Sequence, residues 1–257
     1  MTERILVGID GSGPSRAAFS WALTRARATG ASVLAIHSVE DGADDRGAEL
    51  LDEALSTSRE HAAGVVIASQ LVHGSAPFEL AALAEPGDLL VVGTHKTGYL
   101  NGRVLGTRSI IISSVAHCSV VVVPDAAPSG RTGILVGVAT DGASNAAVIA
   151  GAQEAARLRA DLTLLHCTDP TTDGNPEATE SGRAALADAV ALAATVAPGL
   201  VVRSRLARRR PAEALLDASR SSALLIVGAS RRGIEHLGSV ACEVLLNINT
   251  TVMVARQ

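Results

Sequence analysis

The chain repeats itself. ILVGIDGSGPSRAAFSWALTRARATGASVLAIHSV, starting at Ile5, and ILVGVATDGASNAAVIAGAQEAARLRADLTLLHCT, starting at Ile134, run in step without a gap, 129 positions apart. Gly8 falls on Gly137, Ser15 on Ser144, Ala31 on Ala160 and His37 on His166. Further on, LLVVGT (89–94) matches LLIVGA (224–229), and LGT (105–107) matches LGS (237–239). The closing apolar runs VVVVP (120–124) and TVMVA (251–255) follow. A repeat on this scale, in a chain of 257 residues, reads as two copies of one domain of ordinary size. The boundaries it sets are 1–125 and 132–257, joined by PDAAPSGR (124–131), a stretch of Pro, Ala and small polar residues.

Each copy alternates strand and helix. RILVGID is a near-continuous, β-branched apolar run, the pattern of a strand buried on both faces. Pro14 suits a first helical position with Ser12 or Gly13 as cap, and the helix is expected to run to Gly30. A strand over 32–39, a helix over about 46–62, a strand over 64–72 and a short helix from Pro77 come next. Strands over 88–93 and 119–123 then flank a helix from about 103 to 117. Strands that alternate with helices pair in parallel through right-handed crossovers. The fold class is therefore α/β, two tandem doubly wound parallel-sheet domains.

Composition narrows the function. Hydrophobic residues make up 47% of the chain, yet no uninterrupted apolar window is long enough to span a bilayer. MTERILVGID leads straight into a strand with no secretory pattern, and Cys118, Cys167 and Cys242 stand singly. A cytoplasmic protein without disulfides or a structural zinc is expected. With a net charge of −4 and 2% aromatic residues, the chain has neither the charge nor the stacking surfaces of a nucleic-acid binder, and membrane binding is not expected.

In doubly wound sheets ligands sit beyond the carboxyl ends of the strands, where the winding reverses. In the first copy these ends carry Asp10-Gly11-Ser12, His37-Ser38-Val39 and His73-Gly74-Ser75. Asp10 can accept hydrogen bonds from a ribose or an adenine amino group; it can equally end the strand and cap the next helix. Gly106-Thr107 at a helix start offers free N–H groups and the positive end of a helix dipole to a phosphate, and Gly93 allows close approach to the backbone. The loop is no Walker A motif, because Tyr99-Leu100 stands where Lys-Ser/Thr is required, and GSGPSR is no dinucleotide fingerprint.

Asp after strand one, together with G-x2-G-x9-G-(S/T) after strand four, resembles the universal stress protein family over essentially the whole chain, as a tandem two-domain member. AHCSVVVVP is similar to that family's last helix and strand. The resemblance implies a sheet of the adenine-nucleotide alpha-hydrolase type. In ATP-binding members of the family it implies Asp10 and Ser38-Val39 beside the nucleoside, and Gly93, Gly106 and Thr107 on the phosphate side. Gly93 and Gly106 keep the family's spacing, but its middle glycine is here Lys96, the one lysine of the chain against 21 arginines. Lys96 either adds a positive charge for a phosphate or crowds the path that glycine leaves open; both readings stand. An ATP pyrophosphatase on the same sheet would need Ser-Gly-Gly-x-Asp-Ser after strand one, and IDGSGPS lacks it.

The second copy departs further. Ala139 replaces Asp10 unless Asp141 takes its place, and Gly228 to Gly238 spans ten residues, with Arg231-Arg232 in the shortened loop. This half is expected to be degenerate as a nucleotide site, left with structural pairing or with contact to another ligand or protein. His37 and His166 are read as packed, hydrogen-bonded structural histidines. RSRLARRR (203–210) is read as a solvated rim ahead of an anion or partner site. His117-Cys118 lacks partners for a metal or for nucleophilic catalysis.

The expected function is a non-enzymatic sensor or regulator of the stress response that binds an adenine nucleotide, ATP ahead of others and Mg²⁺ with it, in the first copy. It would act through conformation or protein partners. The rival is an interaction module whose nucleotide sites have lapsed. Because each final strand would leave a hydrophobic edge if unpaired, the two halves are expected to pack as an intramolecular pseudo-dimer; association of whole chains into a homodimer is compatible with this but rests on no named residue. Solution scattering is expected to fit one body; two separated domains on a flexible tether would overturn that expectation.

Overall fold

A computed structural model of the chain describes residues 3–40, 46–58, 63–94, 99–100, 103–104, 107–125, 130–171, 176–229 and 237–256. The chain divides into two compact units, residues 1–127 and 128–256.

In unit one the elements are β1 (Arg4–Gly8), α1 (Gly13–Thr29), β2 (Ser32–Val39), α2 (Gly47–Thr57), β3 (Ile67–His73), α3 (Ala76–Leu83) and β4 (Leu89–Thr94). A two-residue antiparallel pair follows, β5 (Tyr99–Leu100) with β6 (Arg103–Val104), and then α4 (Thr107–Val115) and β7 (Ser119–Pro124). The helix expected from about residue 103 is described from Thr107, and Arg103-Val104 pair with Tyr99-Leu100 as strands instead. All pairings among β1, β2, β3, β4 and β7 are parallel, in the order β7-β4-β1-β2-β3. The order turns back between β1 and β4, which opens a crevice at their carboxyl ends.

Unit two repeats the plan. It runs β8 (Ile134–Val138), α5 (Asn145–Leu158), β9 (Leu162–Thr168), α6 (Pro176–Val196), β10 (Val202–Arg208), α7 (Pro211–Ala218), β11 (Leu224–Gly228), α8 (Ser239–Leu246) and β12 (Thr251–Ala255). The sheet order is β12-β11-β8-β9-β10, again all parallel.

Local signals act as the sequence implies. Ser12 caps α1, its Oγ accepting from the Ser15 amide, with Pro14 in the first turn. Gly30 ends that helix at φ +73°, a left-handed conformation that a side chain would strain. Ile5, Leu6 and Val7 of β1 and Leu90 and Val91 of β4 are wholly or almost wholly buried, as expected for strands covered by helices on both faces. In β3 no residue is fully buried, and that strand pairs only with β2 in its unit.

Two glycines set the closeness of the layers. A Cβ on Gly93, near the end of β4, would overlap the main chain of Pro14 and stand 2.6 Å from the Ser15 amide nitrogen. One on Gly228, at the end of β11, would overlap the main chain of Ala143. The direction a Cβ would take from Gly93 is thus filled by the first turn of α1, while Gly93 also lines the cavity described below. Backbone cannot move aside as a flexible side chain can, so Gly93→Ala is expected to lower stability by about 1–3 kcal/mol, the range for overpacking, read as a lower midpoint in denaturant.

Candidate functional site

Where the sheet order of unit one turns back lies a cavity of about 330 Å³. The turn after β1 brings Asp10 to its wall, the end of β2 brings Ser38, Val39 and Glu40, and β4 brings Gly93. The first turn of α4 adds Arg108 and Ser109, and α3 adds Ala76 and Pro77. Four sequence-predicted residues, Asp10, Ser38, Val39 and Gly93, thus share one wall system although they come from separate strands. Thr107 opens α4 next to it. Lys96 and Gly106 lie outside the described residues.

The polar groups are already partly engaged. One Asp10 carboxylate oxygen accepts from the Ser12 amide at 2.9 Å, so this aspartate shapes the turn into α1 while remaining exposed on the cavity wall. Both readings of Asp10 are compatible with that geometry. Ser38 Oγ donates to the Gly74 carbonyl at 2.7 Å, which spends its proton and leaves it an acceptor toward anything in the cavity. Across the mouth, Arg108 and Glu40 form an ion pair at 3.2 Å, with 69% and 56% of their side chains exposed.

The starts of α1, α3 and α4 all converge on this cavity, since Ser15, Ala76, Pro77, Arg108 and Ser109 line it. The positive ends of three helix dipoles therefore reach its wall, although the Ser15 amide is already taken by Ser12 Oγ. Arg108 adds a positive side chain to a wall that also carries the Asp10 carboxylate and the Ser38 hydroxyl. Arg108 and Glu40 are the residues that sequence reading missed. Their positions, just past Thr107 and Val39, were the available signal, but 68 residues separate them and nothing in the sequence places them face to face.

The repeated histidines have a structural role. His37 Nδ1 donates to the Ile9 carbonyl at 2.6 Å, and His166 Nδ1 to the Val138 carbonyl at 2.8 Å. A Cβ on Gly47 would stand 2.7 Å from the His37 ring, and one on Gly182 would stand 2.7 Å from His166 Nε2. Each ring thus locks the second strand to the end of the first while a glycine of the next helix lies against it.

Unit two has an equivalent cavity of about 310 Å³. Asp141 reaches its wall, with one oxygen accepting from the Ala143 amide at 3.0 Å. Ala139 stands at the place of Asp10, and its amide donates to Ser144 Oγ at 3.0 Å. Cys167 lines the same cavity, and burial pushes its thiol up to about 11. Of the RSRLARRR stretch, Arg203 pairs with Asp161, Arg209 with Asp217 at 2.6 Å, and Arg210 with Glu213 at 3.5 Å. Those three charges are balanced locally. Among the described residues no helix is long and apolar enough to cross a membrane, and no three His, Cys, Asp or Glu side chains cluster as a metal site.

The sequence model of the universal stress protein family matches the chain twice, over residues 1–124 and 131–256. The chain belongs to the universal stress protein family. Two universal stress proteins of mycobacteria resemble it along almost their whole length. One, from Mycolicibacterium smegmatis, is 28% identical, and the other, from Mycobacterium tuberculosis, is 29% identical; each match covers 98% of this chain and 96% of the relative. A solved universal stress protein from Archaeoglobus fulgidus shares the fold with a TM-score of 0.74 at 15% identity, covering 100% of this chain and 99% of its own.

The His-to-carbonyl bond is a feature of each domain that can be tested directly. His166→Leu keeps the volume of the ring roughly but leaves the buried Val138 carbonyl without its donor. It is expected to cost about 1–3 kcal/mol, measured as a shift in the unfolding transition.

Proposed function

We propose that unit one binds an adenine nucleotide, with ATP favoured, and that the chain acts as a sensor or regulator through the conformation or partner contacts that binding biases. The observation that carries this reading is the mixed lining of the cavity at the β1–β4 switch. Its wall carries the acceptor oxygens of Asp10 and Ser38 together with Arg108 and three helix starts. A nucleotide has matching ends: a nucleoside rich in donors and a polyanionic tail. Membership of the universal stress protein family supports the reading, and so does the family resemblance at Asp10, Ser38, Val39, Gly93, Gly106 and Thr107.

The side chains also favour binding over turnover. Glu40 is already paired with Arg108, and Asp10 with the Ser12 amide. Neither is arranged to orient an attacking water in the way phosphoryl-transfer sites do. In this reading Mg²⁺ arrives with the phosphates of the nucleotide.

Calorimetry with ATP and with adenosine tests the proposal. Wild type is expected to bind about one ATP per chain. Asp10→Ala is expected to weaken both ligands, and Arg108→Ala to weaken ATP about tenfold or more while leaving adenosine unchanged. Losing one charge-assisted hydrogen bond costs roughly 1.5–3 kcal/mol, which sets that scale. Unchanged binding in both variants would overturn the site, and absence of binding would favour the interaction module.

A further inference from the structure

At the opposite end of unit two, where β8, β9 and β10 begin, lies a cavity of about 640 Å³. Its wall carries Arg131 and Thr132 ahead of β8, Asp161 and Thr163 around the start of β9, Arg203 of β10, and Arg159 just past α5. Three arginines against one carboxylate leave this lining with a surplus of two positive charges. Arg203 and Asp161 pair with each other, so the surplus sits on Arg131 and Arg159. Arg131 is half-buried and donates from one guanidinium nitrogen to the neutral Asn249 carbonyl at 2.8 Å, which anchors it and leaves its other N–H groups for a ligand. Arg159 is exposed and makes no ion pair among the described residues. Two acidic groups close by in sequence are engaged elsewhere, Glu154 with Arg157 and Asp217 with Arg209, each at 2.6 Å.

The backbone at Arg159 sharpens the observation. Arg159 is the one non-glycine residue at positive φ among the described residues, at +52°. Its counterpart 129 positions earlier is Gly30 at φ +73°, where the same left-handed cap carries no side chain. Unit two thus accepts backbone strain at a place where unit one uses glycine, and sets a cation on the cavity edge. The charge surplus is not shared by the repeat. Around the same strand starts unit one has Glu3, Arg4, Gly30, Ser32, Ala68 and Asp88, and Arg4 is bound to Asp88 at 2.5 Å. We propose that this cavity of unit two is a binding site for a compact phosphate compound of about diphosphate size. Guanidinium groups match phosphate oxygens in pairs, and each phosphate brings several acceptors to a wall rich in donors. The end of α5 opposes an anion with about half a negative charge, which is smaller than the two positive charges facing it. Two of its last carbonyls are already capped, Ala156 by the Arg159 amide at 3.2 Å and Ala155 by the Ala160 amide at 2.9 Å.

Calorimetry with inorganic pyrophosphate on the full chain, at constant ionic strength, tests the site. Arg159→Gly keeps the left-handed cap as Gly30 does, so the variant is expected to fold. It should bind pyrophosphate about tenfold more weakly than wild type, the scale of one lost charge-assisted hydrogen bond. Arg159→Lys should retain more of the binding than the glycine variant does. A role for Arg159 in ending the helix alone would leave binding unchanged in Arg159→Gly. Phenylglyoxal reads the place: pyrophosphate is expected to slow modification of Arg159 and Arg203, resolved by peptide mass. Citrate, a carboxylate anion of similar charge, should bind more weakly than pyrophosphate. Adenosine carries no phosphate and reports on the unit-one cavity alone, so failure of the nucleotide reading and failure of this one are told apart. Unchanged binding in Arg159→Gly, protection confined to Arg108, or citrate held more tightly than pyrophosphate would each overturn the proposal.

Discussion

The crevice in each unit depends on a contact between two backbones. At Gly93 the end of β4 meets the first turn of α1 with no side chain between them, and at Gly228 the end of β11 meets Ala143 in the same way. This contact presses a helix start against a strand end at the point where the sheet order turns back. It fixes how far the amides of α1 stand from the carboxyl end of β4, and so sets the depth of the cavity. The wall chemistry is then hung on that frame. This is why the frame can persist in unit two after the charged groups of unit one are gone.

A second constraint ties the strands together along the sheet. His37 and His166 each bind the main-chain carbonyl that ends the first strand, 28 residues earlier in sequence. The bond fixes the end of β2 relative to β1, and of β9 relative to β8, where the next residues carry the cavity wall. In unit one those residues are Ser38, Val39 and Glu40; in unit two Cys167 takes the place of Ser38. In unit one the half-buried His37 itself lines the cavity, beside the residues that it positions.

Much of the architecture was legible in the sequence because its causes are local or periodic. Ser12 and Pro14 announce the start of α1, Gly30 its end, and the unbroken apolar runs at Ile5 and Leu89 announce buried parallel strands. The repeat itself supplied the second unit. What sequence reading could not supply is what depends on distance in space. Gly93 reads as close approach for a phosphate, and only the packed structure shows that it also lets the backbone of α1 lie against the end of β4. Arg108 and Glu40 belong to segments far apart in sequence, so their meeting across the cavity mouth has no local signature. The second site reads as degenerate when residues are compared with a motif. Its volume survives because backbone geometry, rather than the lost side chains, maintains it.

The pairing of Arg108 with Glu40 gives unit one a tethered competitor. Any anion that uses Arg108 must displace a carboxylate held a few ångströms away by the fold, whose effective concentration is of millimolar order or higher, as for groups on short tethers. Small anions that touch Arg108 alone compete poorly against such a neighbour, however abundant they are. A ligand that makes its other contacts elsewhere in the cavity carries enough additional interaction to win. The exposed ion pair adds little to stability, but it works as a threshold, filtering entrants by how much of the cavity they can engage at once.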